Sequence, residues 1–220
     1  MFLEIRDILT PAEVARLMEI SKALKFVDGR VSNPHATAKN NLQADHGDPL
    51  YAESSRIVAE GFKRSREFQD FALPQRVAAP LLARYEPGMK YGVHADAAFM
   101  PMADGPLRSD LSCTVFLAHP STYEGGELTI HIGRALHFKC LPGHAIVYPS
   151  TTLHEVQPVR AGQRLVSITF IQSHVADEQK RDALFELGEV SALEGANMDP
   201  LNRTRLEAVR QNLMRMWSEN

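Results

Sequence analysis

The stretch 84–100, RYEPGMKYGVHADAAFM, decides how this 220-residue chain is read. At its centre lies His94-Ala95-Asp96. In an extended segment side chains two apart share a face, so an imidazole and a carboxylate here converge on one point. They make two-thirds of a facial metal site. The third ligand is sought at His154, 58 residues beyond Asp96, in TTLHEVQPV. Two His and one carboxylate leave coordination positions open, the donor set that suits Fe(II). Ten residues after His154, Arg164 opens the strand-like run RLVSITFIQ. A guanidinium there can anchor a dicarboxylate through a bidentate fork.

Outward from this stretch the chain reads as short strands separated by Pro and Gly turns. Strands are predicted at 76–78, 81–86, 92–94, 112–118, 127–132, 137–140, 145–148, 154–158 and 164–172. Such spacing predicts an antiparallel sandwich or barrel, and a cupin-like jelly roll leaves a ligand cavity between its sheets. Ahead of it, 2–5 reads as a strand. Thr10-Pro11-Ala12-Glu13 then forms a capping box, with Val14, Leu17, Met18 and Leu24 as the buried stripe. Asp48-Pro49 opens a second helix, expected to run to Phe68. After Val175 two more helices are expected, capped by Asp177 and Asp199, the last with Leu206, Val209, Leu213 and Met216 or Trp217 on its buried face. The fold class is therefore mainly β with helices (α+β): a double-stranded β-helix with N-terminal helices and a C-terminal helical extension. The division predicted is 1–176, with helices over 10–68 and a β core over 75–175, and 177–220. The extension is too short to fold alone and should dock on the barrel or join copies in a homo-oligomer.

Four segments carry a family resemblance: RYEPGMKYGVHAD (84–96), LSCTVFL (111–117), YEGGEL (123–128) and LPGHAIVYPSTTLHEVQPVRAGQR (141–164). In them the chain resembles the Fe(II)/2-oxoglutarate dioxygenases, the prolyl-4-hydroxylase-like branch, and within it the bacterial PKHD-type hydroxylases. The resemblance implies Fe(II) on His94, Asp96 and His154, and 2-oxoglutarate held by Arg164. It also implies O2 as co-substrate, L-ascorbate as a protectant, and release of succinate and CO2. Tyr85 matches a tyrosine that bonds the co-substrate carboxylate; as a bare residue it reads equally as a core aromatic. A second such tyrosine falls at Phe116, which cannot donate a hydrogen bond. Relatives that halogenate lack the carboxylate at position 96, so Asp96 implies hydroxylation. The substrate implied is a peptidyl or free amino acid, a siderophore or an iron-uptake component.

The segment 30–45 is polar and aperiodic, read either as a solvated loop or as a loop over the cavity offering Lys39, Asn40, Asn41 and Gln43 to substrate. Tyr91 either lines the substrate side or packs. A second HxD, His46-Gly47-Asp48, is rejected because Asp48 is better used as a helix cap. Arg160 competes with Arg164 but sits in a turn. His35, His119, His131, His137, His144 and His174 read as surface or strand residues, His144 as exposed. With 24 Lys+Arg against 27 Asp+Glu, nothing points to a nucleic-acid binder. Glu4, Arg6 and Asp7 interrupt any signal-peptide core, and no apolar run approaches the roughly 20 residues of a membrane helix. Cys113 and Cys140 read as reduced core residues of a cytoplasmic protein. A non-catalytic or slow sensor of iron, oxygen or 2-oxoglutarate acting on a partner protein is the alternative function, since the same residues would serve it.

Overall fold

The computed structural model describes residues 1–32 and 37–219; His35 lies outside them. Two antiparallel sheets face each other as a jelly roll. The major sheet runs Leu3–Ile5, Ala145–Pro149, Leu111–Phe116, Arg164–Ser173, Leu81–Tyr85, Leu42–Ala44 and Phe26–Asp28, with Pro74–Val77 on the far end of Arg164–Ser173. The minor sheet runs Arg134–Phe138, Leu128–Ile132, His154–Val156, Lys90–His94 and Lys39–Asn40.

Period-two alternation divides the major sheet into two working faces. Along Leu111–Phe116, the residues Leu111, Cys113 and Val115 enter the core shared with the helices. Phe116 enters the second core, between the sheets, and Ser112 and Thr114 line the cavity there. Along Arg164–Ser173, Val166 joins the inner core while Arg164, Ile168 and Phe170 line the cavity. Both cysteines are buried and unbonded; burial pushes the Cys140 thiol up to about 12 and that of Cys113 higher still.

Helix α1, Pro11–Ala23, carries the expected capping box, with Glu13 N donating to Thr10 Oγ1 at 3.3 Å and Thr10 N donating to the Glu13 carboxylate at 2.9 Å. The second helix breaks before Phe68: α2 spans Pro49–Arg64 and α3 spans Arg66–Ala72. Ser65 makes the break. Its backbone is extended (φ −76°, ψ 107°), and its hydroxyl caps α3 by accepting from Phe68 N at 3.2 Å. Serine competes for backbone hydrogen bonds in this way, and the apolar period runs through it unmarked. Gly61 is the close-approach point of α2, since a Cβ there would lie 2.8 Å from the Ile8 carbonyl oxygen.

The polar segment 30–45 is no simple loop. Lys39–Asn40 pairs with Lys90–His94, and Leu42–Ala44 lies between Leu81–Tyr85 and Phe26–Asp28. Lys39, Asn41 and Gln43 are buried, with Ala44 beside them, and Asn40 is exposed. The pairing puts polar side chains inward, so hydrophobic alternation could not reveal it.

Helices α4, Glu178–Glu194, and α5, Pro200–Trp217, begin at Asp177 and Asp199 as expected. Phe185 packs edge-on against Phe71 of α3 at 5.2 Å, and buried Arg181 donates to the Val175 and Ala176 carbonyls. The expected buried face of α5 needs correction. Leu206, Glu207, Arg210, Leu213, Met214 and Trp217 are its half-buried residues, whereas Val209 and Met216 are exposed. The stripe turns because Arg210 lies along it, reaching the Leu184 carbonyl at 3.3 Å and Asp70 at 3.5 Å. His144 also departs from expectation; it is half-buried, 3.5 Å from Glu4 and 3.7 Å from Asp7. Among the described residues no helix is long and apolar enough to cross a membrane.

Phe185→Ala is expected to lower the unfolding free energy by about 3–5 kcal/mol in urea denaturation. Val209→Ser, at the exposed position, should change it by about 0.5 kcal/mol or less. Equal effects would contradict the docking described for the extension.

Candidate active site

The pairing of Lys90–His94 with His154–Val156 sets His94 directly across from His154, and Tyr91 across from Val156. Three steps along one strand match two along the other, a bulge at Gly92-Val93 that re-aims the His94 ring. Gly92 suits the bulge because a Cβ would press on Ala38 at 3.1 Å, where Gly92 N donates to the Ala38 carbonyl. Asp96 lies just past the strand end, its backbone N–H on the Ser150 carbonyl at 3.1 Å.

Ligand atoms of His94, Asp96 and His154 lie within 4.8 Å of one another, and no other such group of three occurs among the described residues. Nε2 of His94 is 3.8 Å from Asp96 Oδ1, and Nε2 of His154 is 3.6 Å from Oδ2. Each ring is held from behind. Nδ1 of His94 lies 2.8 Å from the Gly92 carbonyl, and Nδ1 of His154 lies 2.9 Å from that of Thr152. A carbonyl only accepts, so the proton belongs on Nδ1 and the Nε2 lone pairs face each other across Asp96. Burial, with His154 close by, pushes the His94 pKa down and favours the neutral ring a metal needs.

Three serines back the carboxylate. Ser112 Oγ donates to Asp96 Oδ2 at 2.5 Å and lies 2.7 Å from Ser150 Oγ, to which Ser109 donates at 2.8 Å. Aromatic rings flank the histidines: Tyr91 stacks on His94 at 3.6 Å, and Tyr148 meets His154 edge-on at 4.9 Å.

All three residues open on a cavity of about 380 Å³, within the usual range for small-molecule sites. Arg164 lines it, 1% exposed, directly across the sheet from Tyr85. Its guanidinium rests 4.9 Å from the Tyr85 ring and 5.7 Å from that of Phe116. Among the described residues it makes no ion pair, and its Nε has no hydrogen-bond partner. Gly126 makes the space, for a Cβ there would meet Arg164 Cδ at 3.1 Å. Arg160, its rival, is exposed. Tyr85 is buried, which raises its pKa, an effect partly offset by Arg164 and Asn41. Tyr123, unremarked in the sequence, buries its hydroxyl near Arg164.

Lys39, Asn41 and Tyr91 all line the same cavity, joined by Phe99, Met100 and Pro101. Asn41 lies against Gly29, where a Cβ would collide with its Oδ1. Asp48 caps α2, and His46 stacks on Tyr51, so the second HxD builds no site. Ser112, Thr114 and Tyr148 are cavity residues that lie in the quoted segments but were not singled out there. Their signal was present: Ser112 and Thr114 share the face of Phe116, polar positions in a strand buried on both sides. A larger groove, about 770 Å³, lies between α3, α4 and α5 and contains none of the His–Asp–His set.

A family model of the 2OG-Fe(II) oxygenase superfamily matches residues 80–172, which span Tyr85 through Arg164. A PKHD-type hydroxylase of Sphingopyxis alaskensis is 53% identical over 93% of this chain and 94% of its own. The chain belongs to the PKHD-type hydroxylases. Another, from Paraburkholderia phymatum, is 40% identical over the whole of both chains. This hydroxylase is thus a 2-oxoglutarate-dependent dioxygenase, of a family that uses Fe(II), 2-oxoglutarate and O2. The fold is shared with a viral collagen prolyl hydroxylase from Paramecium bursaria Chlorella virus-1 (TM-score 0.55, 21% identity, 78% of this chain and 96% of that one). A Pseudomonas putida prolyl-4-hydroxylase shares it too (TM-score 0.53, 16% identity, 78% and 92%).

Ser112→Ala removes the hydroxyl that orients Asp96. Losses of outer-shell partners typically cost about 10–100-fold in metal affinity. A Mn(II) titration should show a weakening within that range, and an unchanged affinity would strip Ser112 of this role.

Proposed function

We propose that this PKHD-type hydroxylase holds Fe(II) on His94, Asp96 and His154, binds 2-oxoglutarate against Arg164 and Tyr85, and hydroxylates a substrate entering past Tyr91 and Lys39. The observation that carries the reading is the pairing of two features in one cavity: the three converging ligand atoms, and a buried guanidinium with no carboxylate partner among the described residues. A buried cation without a partner is costly, so the protein has reason to keep one only for an anion that arrives. A dicarboxylate reaching from the metal to Arg164 fits.

Bound there, iron with 2-oxoglutarate and O2 would supply oxidative decarboxylation to succinate and CO2, one oxygen atom entering succinate and the other inserted into a substrate C–H bond to give C–OH. The chain supplies the geometry. His94 and His154 present fixed lone pairs, and Ser112 fixes Asp96. Arg164 and Tyr85 orient the distal carboxylate, with Tyr123 near Arg164. Tyr91, Phe99 and Met100 wall the approach and limit water. The catalytic unit is assigned to 1–176, with 177–220 as an extension. The substrate class is a peptidyl or free amino acid, or a siderophore-like molecule, and L-ascorbate protects the iron between turnovers.

Truncating one member of a buried charge pair costs about 2–5 kcal/mol in binding. Arg164→Leu is therefore expected to weaken 2-oxoglutarate about thirtyfold or more while leaving Mn(II) binding intact. His154→Ala should abolish stoichiometric metal binding with the fold retained. Full metal occupancy in His154→Ala, or wild-type 2-oxoglutarate affinity in Arg164→Leu, would overturn the assignment.

A further inference from the structure

The cavity contains a second buried cation that the co-substrate does not use. Lys39 is 8% exposed and lies on the edge strand of the minor sheet, opposite Tyr91. Its Nζ donates to Ser32 Oγ at 2.8 Å and lies 5.6 Å from the face of the Tyr91 ring. Tyr91 stacks in turn on His94, so the ammonium sits one ring away from the metal set. Lysine is almost never buried without a paired anion. Among the described residues Lys39 makes no ion pair, and the segment 33–36, Asn-Pro-His-Ala, contains no acid. The nearby acids are otherwise engaged. Asp28 is gripped by Arg30, whose Nε is 3.0 Å from both carboxylate oxygens, and Asp96 belongs to the metal set.

Charge arithmetic then constrains what binds last. The cavity lining carries two cations, Lys39 and Arg164, and one carboxylate, Asp96. A divalent metal and a doubly negative 2-oxoglutarate cancel each other. Asp96 offsets one of the two side-chain cations, and one positive charge remains. Arg164, with Tyr85 and Tyr123 about it, faces the distal carboxylate. The residual charge lies at Lys39, on the wall formed with Ser32, Tyr91 and His94.

We infer that the substrate of this hydroxylase carries a carboxylate, which Lys39 binds beside Tyr91 while the C–H bond to be attacked is held over the metal. Two of the three ammonium donors remain after Ser32 takes one, enough for both oxygens of a carboxylate. The Tyr91 face supports the same cation from below. This selects acids, whether free amino-acid derivatives or the C-terminus of a peptide, over neutral internal segments of a chain. The inference rests on the proposed placement of 2-oxoglutarate at Arg164.

The test is calorimetric and uses the full chain saturated with Mn(II) and 2-oxoglutarate. The probes are N-acetylproline, N-acetylleucine and an acetylated tripeptide, each as free acid and as primary amide. The acids are expected to bind about tenfold or more tighter than their amides. Lys39→Met should reduce that ratio to near one, and Lys39→Arg should keep it. Relative affinity of the amino-acid and tripeptide acids tells a small acid from a chain terminus. Acids and amides binding alike in the wild type, or no acid binding at millimolar concentration, would overturn the inference without any variant. So would an acid preference that survives Lys39→Met, or a loss of 2-oxoglutarate affinity in that variant equal to the loss for the acids. A first titration of the Mn(II)-loaded wild type with 2-oxoglutarate separates the two readings. If it fails, the co-substrate site is wrong; if it succeeds and the acids show no advantage, only the role of Lys39 is.

Discussion

Everything at the site depends on one antiparallel strand pair and its bulge. Register between Lys90–His94 and His154–Val156 brings together two histidines far apart in sequence. A one-residue slip would turn either ring to the opposite face of the sheet. Several independent contacts fix the register: the Gly92 bulge, the backbone bond from Asp96 to Ser150, and the carbonyls behind both imidazoles. The neighbouring strand Leu128–Ile132 locks His154–Val156 from its other side, with Ile130 across from His154. The convergence of His94, Asp96 and His154 is therefore a property of the sheet pairing.

The second constraint is charge in a closed space. The inner core offers Ala83, Tyr85, Phe116, Leu128, Ile130 and Val166, an apolar lining in which unpaired cations are expensive. Arg164 and Lys39 are both placed there, on opposing sheets, with the His–Asp–His set opening on the same cavity. Such a lining makes each anion that enters count for more than it would in water. The strand bearing Arg164 is well pinned, for Arg164–Ser173 is paired on both sides along most of its length.

Much of this was legible in the chain itself, for definable reasons. Motif residues needed only their types and spacing, so His94, Asp96, His154 and Arg164 were placed in order, and the strand run between Pro and Gly turns gave the jelly roll. Helix caps at Thr10, Asp48, Asp177 and Asp199 were local signals and fell where they were expected. What escaped was non-local. One reading of 30–45 had Lys39 and Asn41 at the cavity, but not the strand pairing of Lys39–Asn40 and Leu42–Ala44, on which Lys39 and Gln43 face inward and invert the hydrophobic pattern a strand is recognised by. Ser65 ends a helix whose apolar period continues past it. Val209 and Met216 share a period with residues that do pack, but face outward, while Arg210 lies on the inner side and reaches the Leu184 carbonyl. The serine relay behind Asp96 joins residues brought together only by sheet pairing.

The central claim is that one cavity holds the metal at His94, Asp96 and His154 and the far end of 2-oxoglutarate at Arg164. A crystal structure of the protein with Mn(II) and 2-oxoglutarate tests it most directly. The account predicts the metal on Nε2 of both histidines and on an Asp96 oxygen, with the distal carboxylate forked onto the Arg164 guanidinium beside Tyr85. A metal bound elsewhere, or a distal carboxylate resting on Lys39 or Arg160 with Arg164 unengaged, would contradict it.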